Sequence, residues 1–284
     1  MILIGEKLNG SIPAVAKMIA ERDGEQIRAL ARMQAEAGAD FIDICAPMER
    51  GETEALKWMV EQVQSVTDVP VSIDSSNTDV LLEVYSACLR PGLFNSVSME
   101  GKKRIDEIFR IMAEQPGWQV IAMLCDDEEI SRSAVLGRRL QILDQIVEKA
   151  GNFKINLSRI HIDPVAEAVV FGDSGSIEQT GIGVYLDTVR QIRARYPKIH
   201  IISAVSNVSY GLPARKYMNY SFAALALQAG TDSGILDPLD GGLQAVICGT
   251  ETLLGKKEEE CGIEYIRSYK KGRFEMRLKQ GIDV

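Results

Sequence analysis

Short apolar runs alternate with amphipathic stretches along almost the whole chain. Residues 1–4 are apolar and lead into Gly5-Glu6-Lys7-Leu8-Asn9-Gly10, which predicts a first strand followed by a polar loop. Apolar residues at 27, 30, 31, 33, 35 and 37 keep helical spacing and predict a helix over 24–38, closed by Gly38. Further strands are expected near 40–45, 70–74, 93–97, 118–124, 159–163, 200–206 and 233–237. Helical patterns separate them near 52–66, 78–89, 102–115, 131–150, 176–196, 214–229 and 241–254. With the first strand included, the pattern makes eight strand–helix units with no linker, charge run or composition break between halves. A single α/β domain, a (β/α)8 TIM barrel over residues 1–255, follows, with residues 256–284 as a surface extension packed on it. A doubly wound sheet would want a glycine-rich phosphate turn after the first strand, and Gly5 to Gly10 do not supply GxGxxG.

Several of the predicted strands end on small polar or acidic residues. Val71-Ser72-Ile73 runs into Asp74, Phe94 into Asn95 and Ser96, Ile162 into Asp163 and Pro164, and Val205 into Ser206 and Asn207. In a closed parallel barrel these ends face one mouth, where such folds carry their chemistry. The convergence predicts a pocket.

Composition narrows the partners. The 284 residues are 46% apolar and 25% charged, as expected of a globular chain with a sizeable core. A net charge of −8 without any Lys/Arg block argues against nucleic-acid binding through phosphate neutralisation. There is no secretory leader pattern and no apolar run of about 18 residues, so a cytoplasmic protein without a membrane span is expected. The five cysteines, Cys45, Cys88, Cys125, Cys248 and Cys261, are dispersed and lack CxxC spacing, which predicts reduced thiols and no structural zinc.

Asp74, Asn95, Asp163 and Asn207 bring two carboxylates and two amides together, with no Lys or Arg at the strand ends to clamp an anion. Such a set suits a neutral, donor-rich heterocycle. The 2-amino-4-oxo-pyrimidine edge of a pterin offers an exocyclic amine and ring N–H to a carboxylate and a ring nitrogen and carbonyl to an amide. Acids could instead hold a magnesium ion with water. The two histidines, His161 and His200, lack ligand spacing, and His161 is expected to be a hydrogen-bonded barrel residue. No serine sits in a GxSxG context, and neither Cys45 nor Cys125 has a recognisable histidine partner for nucleophilic catalysis.

The ordered set Ile4-Gly5-Glu6-Lys7-Leu8-Asn9, Ala39-Asp40-Phe41-Ile42-Asp43, Ile73-Asp74-Ser75, Phe94-Asn95-Ser96, Ile162-Asp163-Pro164 and Ser206-Asn207-Val208-Ser209 resembles the pterin-binding barrel family. Within it, the likeness is to methyltetrahydrofolate:corrinoid protein methyltransferases, related to the folate module of cobalamin-dependent methionine synthase and more distantly to dihydropteroate synthase. The resemblance implies that Asp74, Asn95 and Asp163 hold the pterin ring, that Asn207 reaches N5 of the folate as the catalytic residue, and that Ile235 walls the ring. Glu6 and Asn9 match the first-strand signature, and Arg215 stands where relatives carry an arginine. Cys45 departs from the family, where an asparagine is common. The activity implied is methyl transfer between N5 of methyltetrahydrofolate and the cobalt of a corrinoid, in either direction. The resemblance further implies that the corrinoid is carried by a partner protein, that no metal is bound by this chain and that the assembly is a homodimer. The alternatives are a dihydropteroate synthase-like enzyme, disfavoured by the absence of a cationic motif around residues 234–238, and a pterin-binding barrel without catalysis.

Overall fold

The computed structural model describes residues 1–47, 51–101, 104–128, 135–169, 181–255 and 261–274. Eight parallel strands close in sequence order into one barrel, with β8 pairing back onto β1. They are β1 (Ile2–Asn9), β2 (Phe41–Cys45), β3 (Val71–Asp74), β4 (Leu93–Val97), β5 (Gln119–Met123), β6 (Ile160–Asp163), β7 (His200–Ala204) and β8 (Ser233–Leu236). The helices are α1 (Pro13–Ala20), α2 (Gly24–Glu36), α3 (Glu52–Gln64), α4 (Thr78–Val84), α5 (Ile105–Glu114), α6 (Val135–Asn152), α7 (Gly181–Arg195), α8 (Arg215–Ala229), α9 (Gly241–Leu253) and α10 (Cys261–Lys270). This is the TIM barrel that the alternating pattern predicts.

Strand pleating sorts the apolar residues into two cores. Outward-facing Ile42, Ile44, Ile73, Phe94, Val120 and Ile162 pack beneath the helices in the larger one. Inward-facing Ile4, Phe41, Leu93, Ile121 and Ile202 form a small plug, with Ile2 and Ile235 packed on it. Phe94 and Trp118 stack at 4.4 Å between ring centroids, with the Tyr85 ring against both.

Several elements differ from the expectation; β7, expected over 200–206, ends at Ala204 and gives way to a 3₁₀ turn at Val205–Ser209. β1 does not stop before a polar loop but runs to Asn9, because Glu6 turns inward and hides the strand from an apolar reading. Its pairing with β2 shifts between Gly5 and Leu8. Gly5 leaves room there, since a Cβ would press on Oε1 of the fully buried Gln34. The helix expected over 78–89 ends at Val84 and tightens into a 3₁₀ turn at Tyr85–Ala87. α1, unanticipated, begins with Pro13 in its first turn, where a missing N–H costs nothing. Residues 102–103, 131–134 and 176–180, part of the helices expected near 102–115, 131–150 and 176–196, lie outside the described residues, as do 256–260 and 275–284.

Candidate functional site

Above the inner plug, the next inward layer is polar. Strand register places Cys45 opposite Asp74 and Asp74 opposite Asn95, so three polar side chains follow one another around the barrel. Met123 pairs with Asp163, and Ala204 with Ile235, on the far side of the same mouth. The resulting cavity has a volume of about 1070 Å³. Its lining includes every residue singled out from the sequence: Asp74, Asn95, Asp163 and Asn207, with Glu6, Asn9, Arg215 and Ile235.

The floor is a buried network. Asn95 donates from Nδ2 to Oδ1 of Asp43 at 3.1 Å, and Ser72 donates its hydroxyl to the same oxygen at 2.5 Å. Burial and the neighbouring Asp74 hold the Asp43 carboxyl well above the usual carboxylate range. Asp43, which belongs to the Ala39–Asp43 match but is given no ligand role from the sequence, lines the cavity as well. The available signal was alternation, since Asp43 and Cys45 share the inward face of β2. Cys45 is a free thiol. Burial, then Asp74 and Asp43, push it up, so it stays protonated beside Asp74.

Asp163 accepts a 2.8 Å bond from the Val165 backbone N–H. Desolvation raises its pKa to about 6. Val165 itself is left-handed at φ 62°, a costly conformation for a β-branched residue. It is held from both sides, because Arg139 donates from Nη2 to the Val165 carbonyl at 3.0 Å. His161, two residues earlier, lies below the cavity, fully buried, with Nδ1 3.0 Å from the Ser233 hydroxyl and Nε2 2.7 Å from Gln119 Oε1.

Asn207 stands exposed at the mouth in a 3₁₀ turn, Val205–Ser209. Arg215 fastens that turn, donating from Nη2 to the Ser206 carbonyl at 2.7 Å and from Nε to the Ser209 hydroxyl at 3.0 Å. On the opposite wall Ser206 donates to Oε2 of Glu6 at 3.1 Å. Asn9 accepts from the Ser11 N–H at 2.8 Å, shaping the end of β1.

The mouth is not free of cations, as the strand-end residues suggested. Lys7 and Lys216 line it alongside Arg215. Lys7 was missed because it falls at the β1 irregularity, and its Nζ lies 3.4 Å from Asp237 Oδ2. Among the described residues no group of three or more His, Cys, Asp or Glu side chains could hold a metal ion. Nor is any of their helices long and apolar enough to cross a membrane.

The model of the pterin binding enzyme family matches residues 13–237. The chain is 39% identical over 275 residues to the methylcorrinoid:tetrahydrofolate methyltransferase of Eubacterium limosum, a match covering 96% of this chain and 97% of that protein. It is 27% identical over 246 residues to methionine synthase of Mycobacterium tuberculosis, covering 83% of this chain but 20% of that longer protein. A dihydropteroate synthase from Xanthomonas albilineans, solved with 4-aminobenzoic acid, superposes with a TM-score of 0.64 at 19% identity, covering 91% of this chain and 92% of that one. A second, from Coxiella burnetii with pteroic acid, gives 0.63 at 15% identity, covering 88% and 91%. At these identities the solved structures speak to the fold alone.

Proposed function

This chain belongs to the pterin-binding enzyme family, and on that premise we propose that it moves a methyl group between the cobalt of a corrinoid, carried by a partner protein, and N5 of tetrahydrofolate. The observation that carries this reading is the match to the Eubacterium limosum methyltransferase along nearly the full length of both chains. By likeness to that relative, the working direction is from methylcorrinoid to tetrahydrofolate.

The chemistry is a displacement. The N5 lone pair attacks the methyl carbon, the carbon–cobalt bond breaks with both electrons left on cobalt, and N5 sheds its proton. In reverse, N5 is a poor leaving group unless a proton or strong hydrogen bond reaches it as the bond to carbon breaks. Asn207 meets that need by hydrogen bonding to N5 in the transition state. An amide does not titrate near neutrality, so the proton itself must come from another group or from water. Asp74, Asn95 and Asp163 hold the pterin edge, buried Asp43 braces Asn95, and Ile235 packs against the ring face. Arg215 secures the turn that presents Asn207.

Dihydropteroate synthesis is the weaker reading. It calls for a cationic motif on the last strand, whereas β8 leads into Asp237 and Pro238; at the mouth Lys7 faces Asp237 and Arg215 is bonded into the Ser206 turn. The protein is further read as a cytoplasmic homodimer whose residues 256–284 extend the barrel domain.

Mixing the protein with methylcobalamin and tetrahydrofolate under anaerobic conditions and following the cobalt spectrum tests the proposal. Conversion of the methylated cobalt to the reduced form, with methyltetrahydrofolate appearing, is the expected result. Folate binding without any spectral change would favour a barrel that binds pterin without catalysis.

A further inference from the structure

Methyl transfer at N5 exchanges one proton per turnover, and Asn207 cannot carry it. The side chain joined to the Asn207 turn across the mouth is Glu6. Its Oε2 accepts from the Ser206 hydroxyl at 3.1 Å, one residue before Asn207, and Glu6, Ser206 and Asn207 line the same cavity. We infer that Glu6, acting through the Ser206 hydroxyl, receives the proton released when N5 is methylated and returns it when the methyl group leaves. This role rests on the methyl-transfer reading above.

The surroundings of Glu6 suit a group that changes protonation near neutrality. Two cations come close, but both are engaged elsewhere. Lys7 sits 3.4 Å from Asp237, and Arg215 donates to the Ser206 carbonyl and Ser209 hydroxyl. The charged groups facing Glu6 are therefore Lys7 on β1, Asp43 on β2, Asp237 after β8 and Arg215 at the start of α8. Desolvation first, and then Asp237, lift its pKa to about 7, with Ser206, Lys7 and Arg215 pulling it down. A carboxyl so placed is a better match to neutral proton transfer than water.

In the methylation step the new bond is N5 to carbon and the broken bond is carbon to cobalt, which keeps the electron pair. The N5 proton passes to the Ser206 oxygen while the Ser206 proton passes to the Glu6 carboxylate. The reverse step runs every transfer backwards. After product leaves, Glu6 re-equilibrates with solvent through the mouth.

Single-turnover rates measured across neutral pH in both directions, with free cobalamin as the corrinoid, decide the matter. For the wild-type protein, methylation of tetrahydrofolate should rise about tenfold per pH unit and level off near 7, and demethylation should mirror it, falling above the same point. Glu6→Gln should flatten both profiles and slow both reactions by about 10²-fold. Ser206→Ala should do the same with folate affinity kept within a few-fold, and Ser206→Thr, which restores a hydroxyl, should recover the wild-type profile. If Glu6→Gln does not fold, the Ser206 pair alone decides. A wild-type rate with no break near neutrality, a Glu6→Gln profile that keeps the break, or a Ser206→Ala protein with an unaltered profile overturns the role of Glu6 while leaving methyl transfer standing. Absence of any cobalt spectral change at every pH instead removes the methyl-transfer reading itself.

Discussion

Asp163 ties backbone and pH together and, under the proposed function, the ligand as well. Its Oδ1 takes the Val165 N–H and so helps hold a left-handed valine, leaving the rest of the carboxylate to face the cavity. A pterin edge offers donors, so the ring calls for the ionised form. With the free-protein pKa at about 6, folate affinity should fall about tenfold per pH unit below that value. Asp163→Asn should weaken affinity and flatten this dependence, and a titration giving wild-type affinity would remove Asp163 from the site. The same raised pKa acts against the fold. The native state holds the proton more tightly than the unfolded chain, so stability from this group is lost as pH rises from about 4 through about 6. Asn207 has the opposite profile, exposed and without charge. Asn207→Ala should cut methyl transfer by roughly 10²–10³-fold, or about 2.7–4 kcal/mol in the barrier, with folate binding reduced much less. Turnover and affinity measured on the same preparation separate the two effects, and intact turnover would exclude Asn207 from the mechanism.

Among the elements, β1 does more than complete the sheet. Its register shift beyond Gly5 lets Glu6 face the cavity and Lys7 reach Asp237 while Gln34 on α2 accepts the Lys7 N–H at 3.0 Å. A Cβ at Gly5 would crowd the Gln34 side chain that accepts this bond. Gly5→Ala should therefore cost about 1–3 kcal/mol by displacing a buried glutamine, read as a lowered thermal midpoint, with Glu6 moved from the Asn207 turn and methyl transfer slowed as well. A protein with an unchanged midpoint would mean that Gln34 yields without penalty. The β7–α8 connection follows a similar plan. The 3₁₀ turn carries Asn207 at its crest, and the first residue of α8, Arg215, bonds back into it. A guanidinium suits this task because its fork reaches a carbonyl and a hydroxyl together, which a lysine ammonium cannot match in fixed geometry.

Across the whole molecule, the barrel divides its interior between an apolar plug and a polar layer that lines the cavity. Beyond the barrel, α10 lies against α9, with the Tyr265 ring 3.7 Å from the position a Cβ would take at Gly249 and Ser268 buried. If residues 256–284 are a surface extension, a chain ending at 255 should keep folate affinity and methyl transfer while melting at a lower temperature; loss of folate binding in a chain that remains folded would give the extension a part in the site. Period-two and period-3.6 patterns are local properties, which is why the order of strands and helices, the barrel and the polar strand ends could be read along the chain. Asp74, Asn95 and Asp163 were legible for that reason, each closing an apolar run. Asp43 was not, because a carboxylate inside a strand reads the same whether it braces a floor or fills a core, and Lys7 was hidden by the irregular pairing of β1. The amino-acid order by itself determined the repeating architecture and the residue types gathered at one end. Only closure of the sheet, β8 onto β1, decided which of them meet: Ser206 and Glu6 lie 200 positions apart and share a hydrogen bond. Desolvation in that shared wall, a property of the assembled cavity that no stretch of sequence carries, is what brings a glutamate to the edge of protonation at neutral pH.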